Sequence, residues 1–336
     1  MARSSHTKEE IPNTTILPDR LFYALIKQHY AFAGRHSAVK ICEWTKKSLL
    51  DEDFCYKQKF YGIRSHLCCQ MTPTVGFCSN KCVFCWRPHE YNQGYEMNFE
   101  VDDPKTIIEE SIKAQRKLLS GFGGNPKVNK KKFEEAQEPM HFAISLTGEP
   151  TIYPKLPELI KELHKRGKTT FLVTNGMYPD MLERLEREDA LPTQVYVSFT
   201  APNEKLFNEI DKPVFKDAWD RLMRSLEFLK RVKDRTRTVI RVTSIKGINM
   251  IQPEEYGRIL KEKANPTFIE VKAYMHVGYS KYRLKMSNMP SHEEVREFAQ
   301  KIADSMGYQI IDDKPVSRVV LLMKEDFPGR IMKFDD

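Results

Sequence analysis

The stretch Thr72-Pro-Thr-Val-Gly-Phe-Cys78-Ser-Asn-Lys-Cys82-Val-Phe-Cys85-Trp86 runs from a short β-rich segment directly into three cysteines. Its C-x3-C-x2-C spacing suits a tight loop wrapped around one corner of an iron–sulfur cube. Three thiolates leave one iron of a 4Fe–4S cube without a protein ligand, and an open metal position is where chemistry happens. Thiols this dense exceed what core packing asks for. A zinc site stays open as an alternative, with His89 completing a Cys3His set.

Working outward, β-rich runs recur at Thr72–Phe77, His141–Leu146, Thr169–Thr174, Gln194–Thr200, Thr238–Ile245 and Phe268–His276. Amphipathic helical segments separate them at Pro104–Leu119, Leu156–Arg166, Pro179–Glu186, Phe215–Arg231 and Pro253–Ala264. This alternation is the pattern of a parallel sheet built from βαβ units. The repeats are too few to close a full barrel. The expected fold is therefore α/β, an incomplete (βα)6 TIM-type barrel. A helix at Ser291–Met306 and a last β-rich run at Val316–Met323 complete a core over residues 71–325, followed by a tail at 326–336. The apolar spacing from Pro18 to Leu50 is helical, so residues 18–70 read as a helical extension behind a loose polar arm at 1–17. Ser120–Pro139 reads as an irregular insertion.

The residues with chemical potential follow the β-rich runs: Cys78, Thr147-Gly148-Glu149-Pro150, Asn175-Gly176, Ala201-Pro202-Asn203, and His276 to Tyr282. Parallel α/β folds bind ligands at the carboxyl ends of their strands, so one mouth should collect them.

Upstream, Cys42, Cys55 and Cys68 stand at two equal intervals of thirteen residues. Spacing alone leaves core thiols and a second cluster both open. Proximity favours the cluster: Cys68 lies ten residues before Cys78, and Tyr56, Lys57, Lys59, Tyr61, Arg64 and His66 crowd the intervening segment. Cys69 breaks the interval and reads as a bystander, although it adjoins Cys68 closely enough to exchange with it.

Lys and Arg outnumber Asp and Glu by 54 to 46, a net charge of +8 that fits an anionic partner such as RNA. Seven cysteines, an odd number, without a signal peptide argue for reduced thiols or metal ligands over disulfides. No segment is long and apolar enough to cross a membrane. The expected compartment is the cytosol, and nothing demands more than a monomer.

The cysteine loop following the first strand of an α/β repeat resembles the radical S-adenosylmethionine superfamily. Thr147-Gly148-Glu149 stands where that superfamily usually has Gly-Gly-Glu, with the first glycine replaced. With both triplets, the chain resembles more closely the archaeal 4-demethylwyosine synthase family, which modifies phenylalanine tRNA. The matching stretches include Cys55-Tyr-Lys-Gln-Lys-Phe-Tyr-Gly-Ile-Arg-Ser-His-Leu-Cys68, Asn80-Lys-Cys-Val-Phe-Cys-Trp-Arg-Pro88, Leu146-Thr-Gly-Glu-Pro-Thr151, Val173-Thr-Asn-Gly176, Val197-Ser-Phe-Thr-Ala-Pro-Asn203, Lys246-Gly-Ile-Asn-Met250 and Glu270-Val-Lys-Ala-Tyr-Met-His-Val-Gly-Tyr279.

The resemblance implies two 4Fe–4S clusters. Cys78, Cys82 and Cys85 would hold the one that binds S-adenosylmethionine, with Phe84, Glu149, Asn175 and Ser198 lining its pocket. Cys42, Cys55 and Cys68 would hold a second, whose free iron would bind pyruvate. The implied reaction joins pyruvate to 1-methylguanosine beside the anticodon, using a 5′-deoxyadenosyl radical. Eukaryotic members carry an added flavodoxin-like domain for which this length has no room, so an external low-potential donor, a ferredoxin or flavodoxin-like protein, is implied. A lysine forming a Schiff base would also position pyruvate. Lys57 is the first candidate and Lys59 the second, against the plain alternative of solvated or phosphate-pairing lysines.

A base in a tRNA loop must be splayed out and supported by stacking. Tyr274, His276, Tyr279, Lys281, Tyr282, Arg283 and Lys285 interleave aromatic faces with cations as such a surface requires, and the lysines from Lys127 to Lys132 are a second basic group. A zinc-stabilised RNA-binding module and a radical enzyme acting on a small molecule or a protein glycyl site are the rival readings.

Overall fold

A computed structural model describes residues 16–334; the expected arm at 1–17 lies almost wholly outside them. The described chain opens with α1 (Asp19–Ile26), a short antiparallel pair β1 (Ala31–Phe32) and β2 (Ala38–Val39), then α2 (Glu43–Leu49) and α3 (Tyr56–Tyr61). The alternating part follows as β3 (Cys68–Thr72), α4 (Pro104–Leu119), α5 (Lys130–Glu135), β4 (His141–Ile144), α6 (Leu156–Lys165), β5 (Thr169–Thr174), α7 (Pro179–Arg187) and β6 (Gln194–Ser198). It continues through α8 (Glu204–Asp211), α9 (Ala218–Val232), β7 (Arg237–Ser244), α10 (Pro253–Ile259), β8 (Phe268–Ala273), α11 (His292–Met306), β9 (Gln309–Lys314) and β10 (Val319–Met323).

Strands β3 to β8 pair in chain order and parallel. The hairpin extends this sheet antiparallel beyond β3, and β10 then β9 extend it antiparallel beyond β8. The ends, β1 and β9, do not pair, so the barrel stays open on one side.

Alternation along each strand sorts side chains to two faces. Leu172, Val195, Val197, Ile240, Val242, Ile269, Val271, Val320 and Leu322 join the apolar faces of the surrounding helices in one outer core. Phe171, Tyr196, Val239, Phe268, Val319, Leu321 and Met323 point inward and pack on Tyr56, Phe60 and Tyr61 of α3. Helix α3 is therefore a plug in the barrel.

The helices carry their signals in sequence. Asp103 caps α4 by accepting from the Lys105 N–H at 3.0 Å, ahead of Pro104 at the first turn. Ser291 and Glu294 form a reciprocal capping box on α11.

Several expectations change. The extension is not all helical, because residues 31–39 form a strand pair that docks on the sheet edge. The first parallel strand is Cys68–Thr72 rather than Thr72–Phe77, so the division at residue 70 cuts through a strand. Ser120–Pro139 contains α5, capped by the Asn129 side chain. Strand β9 went unread because Gln309-Ile-Ile-Asp-Asp-Lys314 is an edge strand carrying polar residues. Helix α8 went unread beneath the coarser strand-to-helix rhythm, although Asn203 caps it and Leu206, Phe207 and Ile210 have helical spacing. No helix among the described residues is long and apolar enough to cross a membrane.

Candidate active site

The loop carrying Cys78, Cys82 and Cys85 is held by three neighbours. The Glu149 N–H donates to the Phe77 carbonyl at 2.8 Å, and the Val83 N–H donates to the Ile210 carbonyl at 2.8 Å, at the end of α8. From the segment after β8, Arg283 donates to the Val83 carbonyl at 3.3 Å and to the Cys85 carbonyl. Two glycines permit this crowding. Gly148 has φ +73°, and a Cβ there would stand 2.6 Å from the Phe77 carbonyl. Gly278, at φ +59°, would drive a Cβ into the Trp86 backbone.

The second triplet has a simple local logic. Cys42 is the residue before α2, Cys55 the residue before α3, and Cys68 the first residue of β3. The equal intervals thus reflect one short helix with its turn, used twice. Cys68 opens its strand rather than following it, so it stands at the amino end of β3, unlike Cys78, which follows that strand. Strand alternation turns Cys69 to the outer core, away from Cys68.

All seven thiols are free, and the six in triplets are half-buried. Cys68 stands within electrostatic reach of Cys42 and Cys55, and Cys82 within reach of Cys78 and Cys85. Burial pushes every one of the six above the ordinary thiol range, Cys55 to about 11. Ionising three such neighbours requires a strong positive charge among them, which a bound iron–sulfur cluster provides. No three His, Cys, Asp or Glu among the described residues gather as closely as ligands of one ion. His89 fits the zinc reading poorly, because Arg283 and Lys81 beside it would oppose a bound cation.

Between the triplets the inward face is open. Cys68, Gln70, Val173, Ser198, Arg241, Thr243 and Lys272 are only half-buried on strands whose outward residues are fully buried. Lys57, from α3, projects into this hollow, its Nζ 4.3 Å from the centroid of the Tyr196 ring and 5.3 Å from that of Phe171. No ion pair or hydrogen bond holds its amine among the described residues. Burial lowers its pKa, and Glu270 opposes that only in part. Glu270 accepts from Tyr56 at 2.9 Å, Tyr61 at 2.8 Å and Arg241 at 2.5 Å. Burial disfavours its charge, but Arg241 and Lys57 outweigh this and hold its carboxyl below the ordinary range.

Lys59 stands apart from this arrangement. Two positions on along α3 it faces outward, paired with Asp312 at 2.7 Å, and takes no part in the hollow. Glu149 is buried in the loop after β4. Its carboxylate accepts from Thr151 at 2.5 and 3.0 Å, Thr174 at 2.7 Å and the Asn175 N–H at 2.8 Å, making it a brace between the loops after β4 and β5. Asn175 reaches the Ser79 hydroxyl at 3.0 Å beside Cys78. Ser198 ends β6 on the inward face. Phe84 packs with Ile210, Ile245, Tyr274 and Leu284 under the cysteine loop.

Asp211 was missed by sequence reasoning. At the end of α8 it accepts from the Cys82 thiol at 3.2 Å, and burial raises its carboxyl to about 6.

The aromatic and basic segment divides. Tyr274 is buried and bonded to Ser280 at 3.1 Å, and Arg283 is spent on the cysteine loop. Lys281, Tyr282, Lys285 and Met286 remain exposed, Tyr282 at 83%. In the other basic group, Lys132 pairs with Asp51 and Lys131 with Glu135, while Lys127 and Lys130 stay exposed.

Comparison with known proteins gives this geometry a family. Residues 72–259 match the radical SAM superfamily model and residues 263–324 the wyosine base formation model. The chain is 54% identical to the S-adenosyl-L-methionine-dependent tRNA 4-demethylwyosine synthase of Pyrococcus abyssi over 92% of its length and 90% of the relative's. It is 40% identical to the synthase of Methanocaldococcus jannaschii, covering 93% and 98%. A solved structure of TYW1 with a lysine–pyruvate adduct bound matches with TM-score 0.83 and 37% identity, covering 94% of this chain and 99% of that one. An archaeal TYW1 crystal structure matches with TM-score 0.75 and 35% identity, covering 92% and 97%. The chain belongs to the S-adenosyl-L-methionine-dependent tRNA 4-demethylwyosine synthases, radical enzymes that form the wyosine base in tRNA.

Proposed function

We propose that this chain condenses pyruvate with 1-methylguanosine beside the anticodon of phenylalanine tRNA, that it carries two 4Fe–4S clusters, and that Lys57 binds pyruvate covalently. Cys78, Cys82 and Cys85 hold the first cluster and Cys42, Cys55 and Cys68 the second. When bound, the first cluster supplies the electron that releases a 5′-deoxyadenosyl radical from S-adenosylmethionine. Asn175 and Ser198 line the space around that co-substrate, while Glu149 stiffens it through the threonines it holds.

The single observation carrying this reading is the placement of Lys57: an amine inside the barrel, without an ion pair or hydrogen bond among the described residues, lying on aromatic rings beside the second triplet. Such an amine is readily neutral, and a neutral amine attacks the keto carbon of pyruvate and expels water to form a Schiff base. The lysine–pyruvate adduct in a structural relative supports the same chemistry here. Tyr56, Phe60 and Tyr61 seal the hollow beneath Lys57, keeping water from the adduct. Lys281, Tyr282 and Lys285 meet the tRNA outside the mouth. An external low-potential donor supplies electrons, and the enzyme works as a cytoplasmic monomer.

The test is borohydride reduction in the presence of labelled pyruvate. One label should be trapped per chain, on the Lys57 peptide, and Lys57→Ala should lose both label and ring closure while still cleaving S-adenosylmethionine. Label on another lysine, or normal turnover by Lys57→Ala, would remove Lys57 from the mechanism.

A further inference from the structure

Arg87 lies two residues beyond Cys85 and is only 5% exposed. Its guanidinium stacks on the Trp86 ring, 3.4 Å from the centroid, and donates to the Tyr30 hydroxyl through Nη1. Nε and Nη2 are buried with no acceptor among the described residues. Among the described residues no carboxylate pairs with it; the groups near it able to carry negative charge are Tyr30, Cys85 and Cys42, one cysteine from each triplet. Lys40 approaches the same two rings. It lies two residues before Cys42, its Nζ 5.1 Å from the Tyr30 ring and 5.7 Å from the Trp86 ring. Lys40 likewise has no ion pair among the described residues. Two cations thus share two rings in the gap between the triplets.

A buried cation without an anion costs several kcal/mol, and two side by side repel as well. Lys40 is half-buried and keeps access to water, so Arg87 is the cation that most needs negative charge beside it. Thiolate-ligated clusters are net anions and gain a further negative charge on reduction. We propose that Arg87, with Lys40 beside it, is the shared counter-charge of the two clusters, a fixed cation that raises the reduction potential of both. A cluster's potential follows the charge and dipoles around it, and a nearby cation favours the reduced form.

This inference rests on the two-cluster reading. The experiment is an anaerobic redox titration followed by electron paramagnetic resonance, on the reconstituted full chain with iron and sulfide assayed alongside. Arg87→Gln should retain iron for two cubes while both midpoint potentials move negative, and Arg87→Lys should restore most of the shift. Lys40→Met should move the second cluster in the same direction by less, and it serves as the test if Arg87→Gln does not fold. A full complement of iron with either potential unmoved in Arg87→Gln, or with the second cluster unmoved in Lys40→Met, overturns the proposal. Iron for one cube in the unsubstituted chain overturns the two-cluster reading itself. A purely structural Arg87 would change iron retention without moving the potentials.

Discussion

The Glu270 carboxylate and the Arg241 guanidinium meet at 2.5 Å on neighbouring strands inside the barrel, where Glu270 has no solvent exposure. Two tyrosines of the α3 plug donate to the same carboxylate, so this pair fastens the plug, and with it Lys57, to the barrel wall. Removing one partner of a buried pair strands the other, at a cost of about 3–5 kcal/mol. Glu270→Ala should lose stability on that scale in chemical denaturation. Glu270→Leu combined with Arg241→Met should lose clearly less; an equal loss would mean that packing, not charge, dominates here.

Gly148→Ala should destabilise the cysteine loop. The left-handed backbone alone costs about 1–2 kcal/mol for a residue with a side chain, and the added methyl meets the backbone of residues 74 and 77. A lower melting temperature together with poorer iron retention by the reconstituted protein is the expected result. Full iron content at unchanged stability would show that the loops can separate freely.

Lys59→Ala should leave turnover unchanged and stability within about 1 kcal/mol, since its ion pair with Asp312 is at the surface. Paired with Lys57→Ala, it separates two lysines that share one short helix. A large loss of activity in Lys59→Ala would contradict their opposite orientations.

Tyr282 offers its ring to solvent beside Lys281 and Lys285. Stacking contributes about 1–3 kcal/mol per base, so Tyr282→Ala should weaken tRNA binding roughly ten-fold. Affinity should fall with added salt, and the dependence should flatten in a Lys281→Ala, Lys285→Ala double variant. Unchanged salt dependence would place the tRNA elsewhere.

His36 is buried and neutral: its ring donates to the Pro73 carbonyl at 2.6 Å and accepts from the Asp102 N–H at 2.8 Å. Burial holds its pKa below the ordinary value of 6.5. The unfolded chain therefore takes up the proton first, and stability falls as pH drops from 6.5 towards the folded value. Across pH 7 to about 5, the melting temperature of a His36→Asn variant should fall less steeply than that of the unsubstituted chain. Parallel slopes would assign the acid sensitivity to other buried histidines.

The parallel repeat was legible because buried strands and amphipathic helices have different periods. Thr169–Thr174 and Pro104–Leu119 were read with the ends they have in the fold. The cysteine loop was legible because its ligands are local. Short strands such as Ala31–Phe32 were not, since two residues carry no period and form only by docking on a sheet edge.

Sequence by itself determined the family, the α/β rhythm and both cysteine triplets, because each is written in spacing along the chain. Tertiary structure alone decided which lysine of α3 enters the hollow, that Glu149 braces loops, that Cys69 points away from Cys68, and that Arg87 and Lys40 stand between the triplets. The physical reason is that these are questions of direction and of charge brought together from distant segments. A side chain's facing is settled by how its element packs, and an ion's environment by residues far from it along the chain.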